Sequence, residues 1–201
     1  MSIKILGGFA RGQLLAVPKG DLIRPTSVLL KRRIFDYFQE MDGVVFVDLC
    51  AGSGAMGFEA WSRGSELIFL NEMNRHVIKR LEENRENLII KNDHKKTGVI
   101  ECSGMTAENF IKHFRTRYMT FDKDLQENTV IFLDPPYSEK KIYTDVVQFL
   151  KDENWFIGQL WIESDRHKGI PFTEWENYQV RTDKLFEQGD SYILITNFPQ
   201  I

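Results

Sequence analysis

Residues 44–57 read Val-Val-Phe-Val-Asp-Leu-Cys-Ala-Gly-Ser-Gly-Ala-Met-Gly. The first four residues are all apolar and three of them are β-branched, which is typical of a strand buried on both faces. The glycines that follow favour a sharp turn from this strand into a helix, because glycine adopts backbone conformations that other residues avoid. The stretch therefore predicts a parallel sheet that is covered by helices.

Strand and helix patterns alternate on the carboxyl-terminal side of this stretch. Helices are predicted near residues 55–63, 74–90, 106–117 and 139–151, and strands near 66–71, 98–102, 129–134 and 159–163. Two further strands, Tyr178–Lys184 and Ser191–Asn197, flank the turn residues Gln188-Gly189-Asp190 and predict an antiparallel hairpin. The order predicts a doubly wound, Rossmann-like α/β fold with a mostly parallel sheet and a C-terminal antiparallel hairpin.

The amino-terminal part predicts a small extension. Short strands at Ile3–Leu6 and Gln13–Val17 flank a glycine-rich turn, and a helix is expected to begin at Thr26 or Ser27 and to end near residues 42–43. We therefore expect a hairpin extension over residues 1–26 and one main domain over residues 27–201, a length that suits a single core.

Composition limits the classes of protein to consider. The chain has 42% hydrophobic and 27% charged residues, which is ordinary for a globular protein. It contains two cysteines and four scattered histidines, and we expect reduced thiols and no metal site. No signal peptide or membrane-spanning stretch is recognisable, so we expect a cytoplasmic protein that acts as a monomer without a membrane partner.

The distribution of charge is uneven. Residues 1–40 contain seven basic and three acidic side chains, a net charge of +4, whereas the whole chain carries −3. The basic amino-terminal part could contact the phosphates of a nucleic acid. It could equally be a solvated helix face with its usual basic residues.

The glycine turn is a candidate cofactor site. Gly52 to Gly57 has the spacing G-x-G-x-x-G, which dinucleotide sites also use. Asp48, at the strand end before the glycines, could pair with the ammonium group of S-adenosylmethionine. Glu72 follows the next strand, where its carboxylate could accept both ribose hydroxyls of either kind of cofactor. A surface carboxylate near a helix start is the plainer interpretation of Glu72.

A second motif, Asp134-Pro135-Pro136-Tyr137, follows the buried strand near residues 129–134. The prolines fix the backbone and remove N–H donors, so Asp134 and the Pro135 carbonyl become paired acceptors. Two acceptors would hold both hydrogens of an exocyclic base amine and aim its nitrogen at a methyl group on a sulfonium. Tyr137 could stack on a splayed-out base, or it could simply pack.

The sequence resembles bacterial 16S ribosomal RNA guanine-N2 methyltransferases over nearly its full length. The similar residues are Gly7-Gly8-x-x-Arg11-Gly12, Leu15-x-x-Pro18, Arg24-Pro25-Thr26, Ile34-Phe35, Asp48 to Gly54, Gly57-x-Glu59-Ala60, Asp134 to Tyr137 and Glu163-Ser164. The resemblance implies a seven-stranded methyltransferase fold, S-adenosylmethionine as the methyl donor, and one guanine of small-subunit ribosomal RNA as the target, presented in the small ribosomal subunit or its assembly intermediate.

The resemblance also implies roles for particular residues. The expected catalytic residues are Asp134, Pro135, Pro136 and Tyr137, and the expected cofactor residues are Asp48, Gly52, Ser53, Gly54, Glu72, Met73, Ser103, Gly104, Arg24 and Thr26. The basic amino-terminal part adds the expected substrate contacts Arg11, Lys31 and Arg32. Two departures stand out. Residues 28–32 are Val-Leu-Leu-Lys-Arg where the family usually has Asp-Arg-Val-Arg-Glu, and Ser103 replaces the usual Asp or Asn at the adenine amino group.

Three alternative functions remain open from the sequence. A DNA adenine-N6 or cytosine-N4 methyltransferase would use the same two motifs, but would need a way to read duplex sequence. A dinucleotide-binding oxidoreductase would use the glycine turn and Glu72, and would leave the proline motif unexplained. A non-catalytic RNA-binding factor of ribosome assembly could retain the pocket for stability alone.

Overall fold

A computed structural model describes residues 2–17, 27–95 and 97–199. Within these ranges a two-stranded antiparallel ribbon precedes a seven-stranded sheet. The ribbon strands are β1 (Ser2–Lys4) and β2 (Leu14–Ala16); the sheet strands are β3 (Val45–Asp48), β4 (Leu67–Asn71), β5 (Val99–Ser103), β6 (Thr129–Leu133), β7 (Gln159–Asp165), β8 (Lys184–Gln188) and β9 (Ser191–Asn197). The strand order is β5-β4-β3-β6-β7-β9-β8. Strands β3 to β7 are parallel, and β9 is antiparallel to both β7 and β8.

Six α-helices lie within the described ranges. They are α1 (Val28–Tyr37), α2 (Ala55–Ser62), α3 (Arg75–Lys91), α4 (Ala107–Tyr118), α5 (Lys123–Glu127) and α6 (Lys140–Lys151), with 3₁₀ segments at Asp152–Asn154 and Phe172–Tyr178. Ser27 is the N-cap of α1, because its Oγ accepts a hydrogen bond from Leu30 N at 3.0 Å. None of the helices in the described ranges is long and apolar enough to cross a membrane.

Successive side chains of β3 point to opposite faces of the sheet, and both faces are packed against helices. Val45 and Val47 contribute to an apolar cluster with residues of α4 and α6. Phe46, between them, contributes to a second cluster with residues of α1 and α2. All three side chains are fully buried. The predicted strand buried on both faces and the doubly wound plan are therefore confirmed.

Two predicted features at the ends of elements are wrong. The strand that precedes the C-terminal turn is Lys184–Gln188, whereas the sequence predicted Tyr178–Lys184. Gln188 pairs directly with Ser191, so only Gly189 and Asp190 form the turn and the strand has to end beside them. Residues 172–178 form a 3₁₀ segment that buries Trp175. Helix α1 also ends at Tyr37, about one turn before the predicted end.

The ribbon is attached to the sheet domain through a buried carboxylate. Glu59 on α2 is fully buried and accepts hydrogen bonds from the backbone of Leu6 and Gly7 at 2.8 and 2.7 Å. Gly8 has a positive φ of 70°, and a Cβ there would lie 1.7 Å from the carbonyl oxygen of Ser62. The predicted domain boundary after residue 26 lies outside the described residues.

Candidate active site

The carboxyl ends of β3, β4, β6 and β7 surround one cavity of about 460 Å³. Parallel strands of an open α/β sheet present their ligands at this edge. The lining residues are Asp48, Leu49, Cys50, Ala51, Gly52, Ser53, Ala55, Met56, Asn71, Glu72, Met73, Asn74, Met105, Ala107, Phe132, Asp134, Pro135, Pro136, Tyr137, Ile142 and Glu163. The glycine turn and the proline motif, 82 residues apart between Gly52 and Asp134, thus line the same cavity.

The glycine turn forms one wall and is braced by Glu72. Gly52 and Gly54 have φ values of 53° and 81°, which explains the need for glycine. The Glu72 carboxylate accepts from Gly52 N at 3.0 Å and from Asn74 N at 2.8 Å. Burial raises the pKa of Glu72, and these two backbone hydrogen bonds oppose the rise. Each carboxylate oxygen keeps a lone pair that a ligand hydroxyl could use.

Asp48 is the most strongly perturbed carboxyl group of this cavity for which a pKa is resolved. It is 1% exposed, and burial raises its pKa to about 8. Backbone hydrogen bonds from Cys50 and Gly57 lower the pKa, whereas the negative charges of Glu72 and Glu163 raise it. Its Oδ1 is buried and has no hydrogen-bond partner in the part of the chain that the structure describes. A ligand with a positively charged donor would satisfy this oxygen.

The proline motif lines the same cavity after β6, the strand beside β3. Asp134 is half-buried, and Pro135 is buried. The Tyr143 hydroxyl lies 2.8 Å from the Glu163 carbonyl oxygen and 3.3 Å from that of Pro135. Since one hydroxyl hydrogen can serve only one of them well, the shorter contact takes it, and the Pro135 carbonyl keeps acceptor capacity.

The hydroxyl of Tyr137 contacts the end of the β7–β9 ladder. This hydroxyl lies 3.5 Å from Ser191 Oγ, which in turn lies 3.5 Å from Asp165 Oδ2. Ser191 and Asp165 face each other at the end of the β7–β9 ladder. The ring of Tyr137 is half-buried and lines the cavity, so part of it is exposed at the rim.

Two residues of the site were missed by the sequence reasoning. Glu163, near the end of β7, is 3% exposed and lines the cavity. Asn71, at the end of β4, donates from Nδ2 to the carbonyls of Leu49 and Met105 at 3.0 Å each, and accepts from Met105 N at 3.1 Å. Asn71 thereby holds the loops after β3 and β5 in register. Both positions follow the rule that strand ends line the crevice, which was applied only to Asp48, Glu72 and Asp134.

The charge of the lining separates the two kinds of cofactor that the glycine turn allows. Asp48, Glu72, Asp134 and Glu163 contribute four carboxyl groups, and no Lys, Arg or His is among the described lining residues. A pyrophosphate would meet repulsion here, whereas a sulfonium and an ammonium group would be attracted. The charge of the described lining residues therefore fits S-adenosylmethionine better than a dinucleotide.

Several predicted site residues lie elsewhere. Gly54 shapes the glycine turn without lining the cavity. Ser103 and Gly104 also do not line it; the Ser103 carbonyl accepts a hydrogen bond from Glu72 N at 2.9 Å. The other predicted cofactor residues Ser53 and Met73 do line the cavity, while Arg24 and Thr26 lie outside the described residues.

The three predicted substrate contacts differ in exposure. Arg11 and Arg32 are exposed. Lys31 is 1% exposed, and its Nζ lies 3.1 Å from Glu59 Oε2. Its assignment as a substrate contact is therefore corrected, because an ammonium group buried in an ion pair is not presented to a substrate.

Comparisons with known proteins show which sequences and folds this chain resembles. Relatives include ribosomal RNA small subunit methyltransferase D of Escherichia coli K12, 28% identical over 92% of this chain and 86% of the relative, and a putative rRNA methyltransferase of Bacillus subtilis, 29% identical over 85% and 87%.

Among solved structures, a putative methyltransferase from Escherichia coli has a TM-score of 0.72 at 23% identity, with both chains fully covered. An RNA methyltransferase from Salinibacter ruber in complex with S-adenosyl-L-homocysteine has a TM-score of 0.55 at 12% identity, covering 89% of this chain and 95% of that one. These structures show that the fold is that of class I methyltransferases. The family model described as conserved hypothetical protein 95 matches residues 3–194, and the chain therefore belongs to this family, that of ribosomal RNA small subunit methyltransferase D.

Proposed function

We propose that the protein transfers a methyl group from S-adenosylmethionine to the exocyclic N2 amine of a guanine in small-subunit ribosomal RNA. The observation that carries this proposal is the cavity itself. It is acidic and large enough for the cofactor, and Asp134-Pro135-Pro136-Tyr137 lies at its end. The glycine turn and the proline motif follow the neighbouring strands β3 and β6 and line the same cavity, so a methyl group held by one would lie within reach of an amine held by the other. The names of the relatives supply the choice of ribosomal RNA.

Asp134 and the Pro135 carbonyl would position the amine. Each can accept one of its two N–H groups, because the carbonyl keeps acceptor capacity beside the Tyr143 hydroxyl. Holding both hydrogens concentrates electron density on the nitrogen as it attacks, and fixes its direction of approach. The cofactor, when bound, supplies the electrophilic methyl group. After transfer the nitrogen is more acidic, and Asp134 can accept its proton.

Tyr137 would hold the plane of the base. A guanine inside a helix cannot present its amine to a cavity wall, so the base has to be unstacked. The exposed part of the Tyr137 ring offers a stacking surface beside the two acceptors, and Ser191 near its hydroxyl limits the rotation of the ring. Stacking of one base on an aromatic ring contributes about 1–3 kcal/mol in nucleic-acid complexes.

Methyl transfer from labelled S-adenosylmethionine tests the proposal. The substrates are small-subunit ribosomal RNA and assembled small subunits from a strain that lacks the native enzyme, with genomic DNA from the same strain as the alternative. We expect label in the RNA as N2-methylguanine. We expect Asp134→Ala to abolish transfer while binding of S-adenosylhomocysteine persists, because Ala removes the acceptor that would hold the amine. Asp93→Ala, at an 81% exposed side chain in the turn after α3, is the matched control. Label confined to DNA would refute the assignment to ribosomal RNA.

A further inference from the structure

A turn of three basic residues lies at the rim of the candidate site. Arg166, His167 and Lys168 follow β7 directly, and all three are exposed. Glu163, three residues before Arg166 on the same strand, lines the cavity. The turn therefore lies at the edge of the sheet where the cavity opens.

Buried side chains hold this turn in one conformation. Asp165 is 4% exposed, and its Oδ1 accepts from the backbone N–H groups of both His167 and Lys168 at 3.0 Å. Ser164 Oγ accepts from Ile170 N at 3.0 Å. A Cβ at Gly169 would lie 2.2 Å from that same Oγ, so glycine is needed there. The three basic side chains are thus presented outward from a fixed backbone.

The turn is connected to the proline motif through the same carboxylate. Asp165 Oδ2 lies 3.5 Å from Ser191 Oγ, which lies 3.5 Å from the Tyr137 hydroxyl. One oxygen of Asp165 therefore fixes the basic turn, and the other contacts the residue beside Tyr137. A base seated on Tyr137 would bring its own backbone phosphates toward this rim.

Arg33 of α1 and Arg166 of the turn after β7 lie close together, because both bind the same residue. The guanidinium groups of Arg33 on α1 and Arg166 both bind Glu187 on β8, through its carbonyl and its carboxylate respectively. Each guanidinium has five N–H donors, so donors remain for a phosphate. The Lys168 ammonium group has no partner among the described residues. The acids nearby are Glu187 and Asp190, with His167 Nε2 lying 3.6 Å from the latter.

We propose that Arg166 and Lys168, with Arg33 beside them, bind the phosphates of the RNA strand that flanks the target base. This inference rests on the proposed function, because it assigns the strand's path from the position of Tyr137. The contacts would be to phosphate and would therefore set affinity and register without reading sequence. Arg166 and Lys168 would extend the RNA contact from the basic amino-terminal part of the chain, to which Arg33 belongs, to the turn after β7.

The salt dependence of RNA binding tests this inference. Protein saturated with S-adenosylhomocysteine is titrated with small-subunit ribosomal RNA from the strain lacking the native enzyme, at several salt concentrations. Each lost phosphate contact lowers the slope of log affinity against log salt by about 0.7–0.9, which corresponds to about fivefold weaker binding near 0.15 M salt. We expect this loss for Lys168→Ala and for Arg166→Ala, and wild-type behaviour for Lys168→Arg.

Lys112→Ala, at an exposed lysine on α4, is the matched control, and unchanged affinity for S-adenosylhomocysteine checks the fold of each variant. Lys168→Ala with the affinity and salt slope of the control would overturn the inference. The two proposals fail separately: a wild-type protein that binds RNA without methylating it contradicts the proposed function, whereas the binding slopes still decide the role of the turn.

Discussion

Replacing Asp48 by Asn is expected to change how cofactor binding depends on pH. The carboxyl group of Asp48 is 1% exposed and has a pKa of about 8, so about a tenth of it is ionised at pH 7. A ligand ammonium group that binds beside its Oδ1 requires the ionised form. Binding near neutral pH should therefore release about one proton for each ligand bound.

The magnitude follows from this pKa. Between pH 6 and pH 7 the affinity of wild-type protein for S-adenosylhomocysteine should rise about tenfold, and between pH 7 and pH 8 only about threefold, because Asp48 approaches half ionisation and the ligand's α-amino group begins to lose its charge. Above pH 8 it should fall, because an α-amino group has a pKa of about 7.7–8.0 and loses its charge. Asp48→Asn has no proton to release, so its affinity should be lower than that of wild type. Its affinity should also be independent of pH on the acidic limb of the profile, below pH 8, while the fall on the alkaline limb, above pH 8, remains.

Isothermal titration calorimetry measures both the number of protons released and the affinity at each pH. Titrations in two buffers of different ionisation enthalpy give the number of protons released, and a series from pH 6 to pH 9 gives the limbs. Asp93→Asn, which removes an exposed carboxylate, should behave like wild type. An acidic limb as steep in Asp48→Asn as in wild type would refute the reasoning, since another group would then supply the proton.

The same substitution should stabilise the ligand-free protein. The folded-state pKa of Asp48 is raised above its unfolded value, so the folded chain retains a proton that the unfolded chain has lost at neutral pH. This contribution to stability is full below about pH 4 and is lost as the pH rises toward 8. Asp48→Asn should therefore raise the free energy of unfolding at pH 7, by the order of 1–4 kcal/mol. Urea denaturation at pH 5 and pH 7 would show a gain that grows with pH.

Three other substitutions test the attachment of the ribbon and the proline motif. In a urea titration, Gly8→Ala should lower the free energy of unfolding by well over the ~1 kcal/mol that a positive φ costs, because its Cβ collides with the Ser62 carbonyl. Gly12 also has a positive φ but has open space around it, so Gly12→Ala should cost only that ~1 kcal/mol. Glu59→Gln should cost about 3–5 kcal/mol, because it leaves the Lys31 ammonium group buried beside a neutral amide, and a thermal melt within 2 °C of wild type would contradict this. Tyr143→Phe should lower kcat with little change in KM for RNA, because the Tyr143 hydroxyl bonds to the Glu163 carbonyl and so holds the end of β7 beside the Pro135 carbonyl; a change in KM alone would contradict this positioning role.

The sequence predicted the fold and the two motifs well, because both depend on local signals. The apolar run of β3, the glycines after it and the prolines after β6 each restrict the backbone within a few residues. The C-terminal hairpin was harder. Its turn was found, but the preceding strand was placed at Tyr178–Lys184 instead of Lys184–Gln188, since Tyr178, Val180 and Thr182 alternate with polar residues as in a strand.

The role of Lys31 depended on a partner that is distant in sequence. Lys31 shares the inward stripe of α1 with Ile34 and Phe35, and this spacing was a signal that its side chain is buried. Its counter-ion Glu59 stands in an otherwise apolar run on α2, which was a second signal. Neither signal shows that the two elements meet, because the contact spans 28 residues and depends on the tertiary packing of α1 against α2.

The choice of cofactor also depended on residues far from the glycine turn. The spacing G-x-G-x-x-G allows a dinucleotide or S-adenosylmethionine, and Glu72 would serve the ribose of either. The charge of the remaining wall separates them, and that wall comes from Asp134 and Glu163, more than 75 residues along the chain from Gly57. Burial raises the pKa of Asp48, and the charges of Glu72 and Glu163 raise it further, so ionisation is costly in the ligand-free cavity. A cationic ligand lowers that cost and an anionic one increases it, so the same charges that destabilise the ligand-free pocket select its ligand.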